Sequence, residues 1–574
     1  LAGLTGVSSR PAKQRGARGT GDGPATVASR WIPIPLILGA ALSCQGEGGI
    51  PGPIALGAGN SDPHRGGILV FAINDDVRTL DPAVAYDEFT LYAEHLIYDT
   101  LVGYAPATSP NPTALVPQLA KSWAVSTDGL RYSFSLRGDA VFWDGQPVLA
   151  GDFVYALERI LTPETASPGA QFYAGIRGAR ARLEGKARQV TGLRALDPRT
   201  LEIELEEPDA AFPLLLAMKF ATPLKQSHVE KVGDRLRDTP LGTGPFVLEE
   251  WDQGSKLVFR RNPTYHDSSI PLLDGIIMQV MVPRDVAALK FLRGELDLVE
   301  RILSDDYARF AASPEWAALV IRTPGMNTFA ESMNVTRPPF SSRLVRQAFN
   351  YALNKEDTIR INGGRAVPSS GILPPSMPGH DRNRLPYPHD PAKARSLLTE
   401  AGYGGGFEVV YTTTQDETAQ RLAQSIQADL AEVGVRVRIR LLTFPALVTL
   451  AGRGEIDFGF TAWTMDFPDA RNFIEPKFHS RSIAPENSTN DSFYANAELD
   501  RLLDLARREQ DERARLALYK RIEDILYDDC PYLWHYHTVQ VEIRQPYVMG
   551  YTPHPVWVRD YRHTWLDDPR QVRR

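Results

Sequence analysis

Cysteine is nearly absent: Cys44 and Cys530 are the two in 574 residues, too few for a disulfide framework or a site of paired thiolates. Basic charge is also short. The chain has 63 Lys and Arg against 70 Asp and Glu, a net charge of −7, and no basic block lies beyond the N-terminal tail. That excludes a polyanion partner, so no nucleic acid is expected. The signatures of common chemistries are missing as well: no His-Glu-x-x-His, no Cys-x-x-Cys, no phosphate loop and no Gly-x-Ser-x-Gly elbow. His535 and His537 share one face of an extended run, yet two imidazoles without a third ligand do not make a metal site. His380-Asp381 and His389-Asp390 lie in Pro/Asn/Gly-rich loops and read as solvated polar residues. No enzyme, cofactor or metal is expected, and no two carboxylates stand out as an acid–base pair.

What is present is an ordinary globular composition, 43% hydrophobic and 23% charged, over a length that calls for two or three domains. Long apolar runs are confined to one place. Residues 1–30 carry Arg10, Lys13, Arg15, Arg18 and Arg30, and Trp31–Leu42 is apolar apart from two prolines. A basic stretch followed by a short hydrophobic one is the layout of a secretory leader. It ends in Ala41-Leu42-Ser43-Cys44, which resembles a bacterial lipoprotein cleavage site, so residues 1–44 are expected to be removed up to a lipidated Cys44. Cleavage elsewhere by ordinary signal peptidase is the alternative. Residues 45–66, rich in Gly and Pro, are expected to form a flexible stalk.

The most informative stretch is Trp123–Asp152. Leu130, Tyr132, Phe134 and Leu136 alternate with polar residues as in a half-buried strand, and Ser126-Thr127-Asp128-Gly129 supplies a reversal that pairs Trp123–Val125 back onto it. Phe142-Trp143-Asp144-Gly145 is a second turn, and Asp152 is expected to cap a helix through Phe153, Ala156, Leu157 and Ile160. The ordered set W…S-x-D-G…Y-x-F-x-L-R…F-x-D-G-x-P…D-F resembles the extracytoplasmic solute-binding proteins of oligopeptide and dipeptide ABC importers. Leu80-Asp81-Pro82 after the apolar run Gly67–Ile73 continues the likeness, and Thr165–Pro168 with Leu183–Lys186 is similar to the oligopeptide branch.

Independently of that family, Leu289–Leu298 and Leu447–Phe458 echo each other: a helix end closed by Arg-Gly-Glu, then an apolar strand. Each lobe of a two-lobed chain would then own one helix-to-strand return. Helix and strand patterns alternate beyond Arg322, as an α/β lobe requires. The expected architecture is an α/β, two-lobed, hinged binding-protein fold of three domains (class II). Residues 67–102, 226–321 and 538–574 form a discontinuous first lobe, 103–225 a small domain inserted in it, and 322–537 the second lobe.

The resemblance also implies a site. In peptide binders the aspartate three residues after a tryptophan meets the ligand's α-ammonium, and here the pair is Trp463 and Asp466. Phe460 and Thr461 before them are expected to pair with the ligand main chain, with Met465 alongside. Tyr86 and Glu88 match the opposing contact strand of the first lobe, and Tyr155 and Phe444 match pocket-lining aromatics. In tripeptide-type sites an arginine often precedes the tryptophan by three, where this chain has Phe460. The implied partners are a peptide, the permease subunits with their ATPases, and the membrane through the lipid anchor, with the protein a monomer. The same template is reused for nickel chelates, oligosaccharides and small amines, and an extracytoplasmic hydrolase or ligand sensor is the alternative of another class.

Overall fold

The computed structural model describes residues 62–556 and 559–567. The leader, Cys44 and most of the expected stalk lie outside the described residues. The last part of that stalk is not loose: His64 Nε2 reaches Leu566 O at 3.1 Å and Gly66 N donates to Leu272 O at 3.0 Å. No helix among the described residues is long and apolar enough to cross a membrane.

The apolar run after the stalk forms the strand Ile68–Ala72, flanked by Gly275–Gln279 and Leu298–Val299, both parallel to it. Leu69 and Phe71 are fully buried against Tyr92 and Leu96 of the helix Glu88–Ile97. Asp87 caps that helix by accepting from Thr90 N at 2.9 Å. The apolar spacing runs on to Leu101, but the helix stops at Ile97, where a later segment of the same chain takes its last carbonyl: Gly244 N donates to Ile97 O at 2.9 Å. A Cβ on Gly242 would stand 2.0 Å from that same oxygen, so only glycine permits the approach.

The informative hairpin forms as its pattern requires. Ala120–Val125 pairs with Arg131–Leu136 inside a four-stranded antiparallel sheet, and Gly129, at φ +71°, closes the turn onto Ser126 O at 2.8 Å. Tyr132, Phe134 and Leu136 point into the core and Arg131 and Ser135 point out. The expected cap of the next helix is corrected. The helix spans Ala150–Ile160, Leu149 holds the capping position, and Asp152 sits inside the first turn. From there its Oδ2 reaches back to Leu149 N at 2.8 Å, satisfying an amide that the helix itself leaves unpaired.

The second lobe repeats the first. Phe407–Thr414 is flanked by two parallel strands, Val435–Leu442 and Phe458–Thr464. The two helix ends singled out as echoes close alike: Glu295 N meets Lys290 O and Glu455 N meets Leu450 O, each at 2.9 Å, past Gly294 at φ +72° and Gly454 at φ +69°. The lobes share one strand. Tyr532–Arg544 pairs with Asn327–Met333 and Ala366–Pro368 along its first half, then with Val320–Pro324 and Leu298–Val299 along its second. The chain thus passes between lobes at Pro324–Asn327 and again within this long strand, an arrangement suited to a two-stranded hinge.

Candidate functional site

The strand Phe458–Thr464 pairs with Asn327–Met333 along its whole length, but with Phe407–Thr414 only at Phe458 and Gly459. From Phe460 onward one edge therefore has no strand partner among the described residues, and such an edge can pair with an extended guest. The side chains along it are already engaged. Phe460 lies 6.0 Å from the Phe329 ring. Thr461 is buried and donates to Asp491 Oδ2 at 2.6 Å. Trp463 has Lys477 Nζ 5.6 Å from its ring, and its indole N–H is buried with no acceptor among the described residues.

The strand then turns into a loop whose side chains reach the first lobe. Met465 N donates to Met326 O at 2.9 Å. Asp466 and Asn472 bind reciprocally, Asp466 N to Asn472 Oδ1 at 2.8 Å and Asn472 Nδ2 to Asp466 Oδ2 at 2.9 Å, which fixes the carboxylate's direction. Its other oxygen accepts the hydroxyl of Tyr86, a residue of the first lobe. Tyr86 rests on Phe220, 5.5 Å between ring centroids. Burial first, and then the neighbouring Asp466 charge, drive its phenol pKa upward, so the hydroxyl keeps its proton. Phe467 enters the core of the small sheet domain edge-on to Phe172, and Arg471 Nη1 meets Asp209 of that domain at 2.8 Å.

With this geometry in view, comparison with known proteins decides the family. Residues 114–485 match the middle region of the bacterial extracellular solute-binding proteins, family 5. The chain belongs to that family. As a family 5 solute-binding protein it works outside the cytoplasm. It is 29% identical over 472 residues to the glutathione-binding protein GsiB of Salmonella typhimurium, covering 81% of this chain and 88% of the relative. It is 28% identical over 508 residues to the di/tripeptide-binding protein 2 of Pseudomonas aeruginosa, covering 85% and 92%. Among solved structures, the periplasmic binding protein DppA of Helicobacter pylori in complex with peptide STSA superposes with a TM-score of 0.70 at 28% identity, over 88% of this chain and 99% of that one.

The remaining family-derived contact residues scatter more than the resemblance implies. Tyr86 and Glu88 do not lie on a strand; Tyr86 precedes the helix and Glu88 is its first residue. Glu88 is an ion-pair partner of Arg301 and accepts from Tyr92 OH at 3.1 Å. Tyr155 packs with Ala156, Leu224 and Val229 rather than with the Asp466 group. Phe444 opens the helix Phe444–Gly452 and is 39% exposed.

The two strand histidines are internal. His535 is held by Glu331 Oε1 at 2.9 Å and Thr358 Oγ1 at 2.7 Å. Burial pushes the His537 pKa down to about 3, so that ring stays neutral. No cluster that could hold a metal occurs among the described residues. Sequence reasoning missed Asn472, Phe467, Arg471 and Asp209. No local pattern marks them: Phe467, Arg471 and Asp209 act through residues distant in sequence, and Asn472 gains its role only because the loop folds it back onto Asp466.

Proposed function

We propose that this chain captures short peptides between its lobes and delivers them to an ABC permease. The observation that carries the reading is Asp466: a carboxylate aimed by Asn472 and hydrogen-bonded to Tyr86 of the first lobe, beside a strand edge that lacks a partner among the described residues from Phe460 onward. A carboxylate in a water-poor gap binds an ammonium by a short charge-assisted bond and rejects guests without the cation. Main-chain pairing along Phe460–Ala462 would add affinity indifferent to the guest's side chains. The ligands after which the relatives are named, glutathione and di- or tripeptides, and the peptide in the DppA complex support a short peptide as cargo.

In this reading the lobes are residues 67–102, 226–321 and 538–574 against 322–537, with 103–225 inserted in the first. Lipidated Cys44 tethers a monomer to the membrane. Native mass spectrometry of the purified protein, followed by titration with a panel of free peptides, tests the function. The expected result is an added mass matching a short peptide, released unchanged on denaturation. Absence of binding across the panel, or recovery of cleaved products, would overturn it.

A further inference from the structure

Both lobes arrange parallel strands in the same way. The central strand, Ile68–Ala72 in the first and Phe407–Thr414 in the second, is flanked by two later strands, and the chain must cross from one side to the other between them. Such a switch opens a crevice at the carboxyl ends of the strands, where open α/β sheets take their ligands. In the second lobe Asp466 follows that end of Phe458–Thr464. In the first lobe the matching place is a small cavity walled by Asn74, Phe89, Arg284, Glu300 and Arg301 among others.

The charges around that cavity differ in their commitments. Arg301 pairs with Glu88. Glu300 and Glu542 share Arg559, the latter at 2.7 Å. Arg365, from the second lobe, gives Nη1 to Ile302 O at 2.9 Å and Nη2 to Ser304 Oγ. Arg284 alone among these arginines has neither a carboxylate within ion-pair distance nor a well-formed hydrogen bond among the described residues; its single contact is Nε to Asn74 Oδ1 at 3.4 Å. Burial and the like charges of Arg301 and Arg365 push its pKa down, as expected of a cation short of a counter-ion.

We propose that Arg284, with Arg301 beside it, receives a carboxylate at the anionic end of the cargo while Asp466 receives the cationic end. The inference rests on the peptide reading and narrows it to short chains with a free C-terminal carboxylate. A planar guanidinium suits that group because it donates two parallel bonds to it. One short segment connects the two ends: Tyr86 touches Asp466, Glu88 touches Arg301, and Asp87 between them is extended. At about 3.3 Å per extended residue, Tyr86 and Glu88 stand roughly 7 Å apart along the chain, a spacing that matches a guest of a few residues.

The test is calorimetric titration of wild type, Arg284→Gln and Arg284→Lys with di-, tri- and tetra-alanine, each as the free acid, the C-terminal amide and the N-acetylated acid. Wild type is expected to bind the free acid at least about tenfold more tightly than the amide. Arg284→Gln should bring the acid down to the level of the amide without changing the amide, and Arg284→Lys should recover part of the loss. Equal affinity of acid and amide in wild type, or equal loss of both in Arg284→Gln, overturns the proposal. Indifference to N-acetylation overturns the role of Asp466 and leaves that of Arg284 standing, whereas no binding of any form overturns both.

Discussion

Tyr86 and Asp466 stand 380 positions apart in sequence and share a hydrogen bond across the boundary between the lobes. The bond has two consequences. It gives the carboxylate a neutral partner, and under the proposed function an arriving ammonium would either share the oxygen with the phenol or displace it. Asp466→Asn is therefore expected to weaken free-amine peptides by about 30-fold or more, since it removes one charge from a partly buried pair, and to leave N-acetylated peptides nearly unchanged. Tyr86→Phe should shift affinity by only about 1 kcal/mol, the net worth of a neutral hydrogen bond. Calorimetry with paired free and acetylated peptides checks both, and equal loss for the two forms in Asp466→Asn would sink the role.

A second contact joins the second lobe to the small sheet domain. Asp209 and Arg471 are 7% and 8% exposed and lie 2.8 Å apart, with Asp209 Oδ1 also accepting from Ala211 N at 3.1 Å. Removing one member leaves the other buried with only a longer ion pair, Arg507 Nε at 3.7 Å from Asp209 or Glu475 Oε2 at 3.9 Å from Arg471, a loss of about 1.5–3 kcal/mol for the charged hydrogen bond, while removing both with apolar residues of similar volume is milder. Arg471→Met is expected to lower the unfolding midpoint in denaturant strongly. Asp209→Leu combined with Arg471→Met should recover most of the loss. A double variant no better than the single would show that the ion pair is not what fails.

Cys530 ends the helix Glu512–Asp529 in the left-handed conformation and is completely buried, its thiol 3.0 Å from Tyr527 O and 3.2 Å from Tyr387 OH. Burial pushes its pKa up to about 12, so almost no thiolate exists at neutral pH. Alkylation with N-ethylmaleimide at pH 8, read on the peptide that contains Cys530, should give no adduct in the folded protein and complete modification in guanidinium. Labelling of the folded protein at the unfolded rate would contradict this burial.

How far the sequence carries can be judged from particular residues. The alternation through Tyr132, Phe134 and Leu136 and the glycines at 129, 294 and 454 report local backbone geometry, so the elements they specify are legible. The sequence also singles out Tyr86 and Asp466, but separately, since nothing local says that one phenol completes one carboxylate. Asp152 misleads because a carboxylate near a helix start can serve either as the cap, accepting from amides inside the first turn, or from the third helical position, accepting from the cap residue's own amide as it does from Leu149 N here. Asp209 and Arg471 are 262 positions apart and carry no periodic signal at all. Nothing local marks Arg284 either, since its proposed role depends on the placement of Glu300 and Arg301 beside it in the fold.

Lys355 offers a test of buried charge by pH. It opens the helix Lys355–Ile361, is 6% exposed, and among the described residues donates only to a neutral acceptor, Tyr387 O at 3.1 Å. Burial pushes its pKa from the ordinary 10.5 down to about 8. Below pH 8 the ammonium is charged in both states and the folded protein bears the cost of hiding it. Between about pH 8 and 10.5 the folded state loses the proton before the unfolded one, so the unfolded state binds more protons and stability rises with pH across that window. Lys355→Met removes the cost outright. The variant is expected to be more stable than wild type by about 1–3 kcal/mol at pH 7, with the difference shrinking steadily above pH 8 and nearly gone by pH 10.5. Urea unfolding of both proteins at pH 7, 8.5 and 10 measures it. A difference that stayed constant with pH would mean that the methionine gains by packing and that Lys355 titrates like a lysine in water.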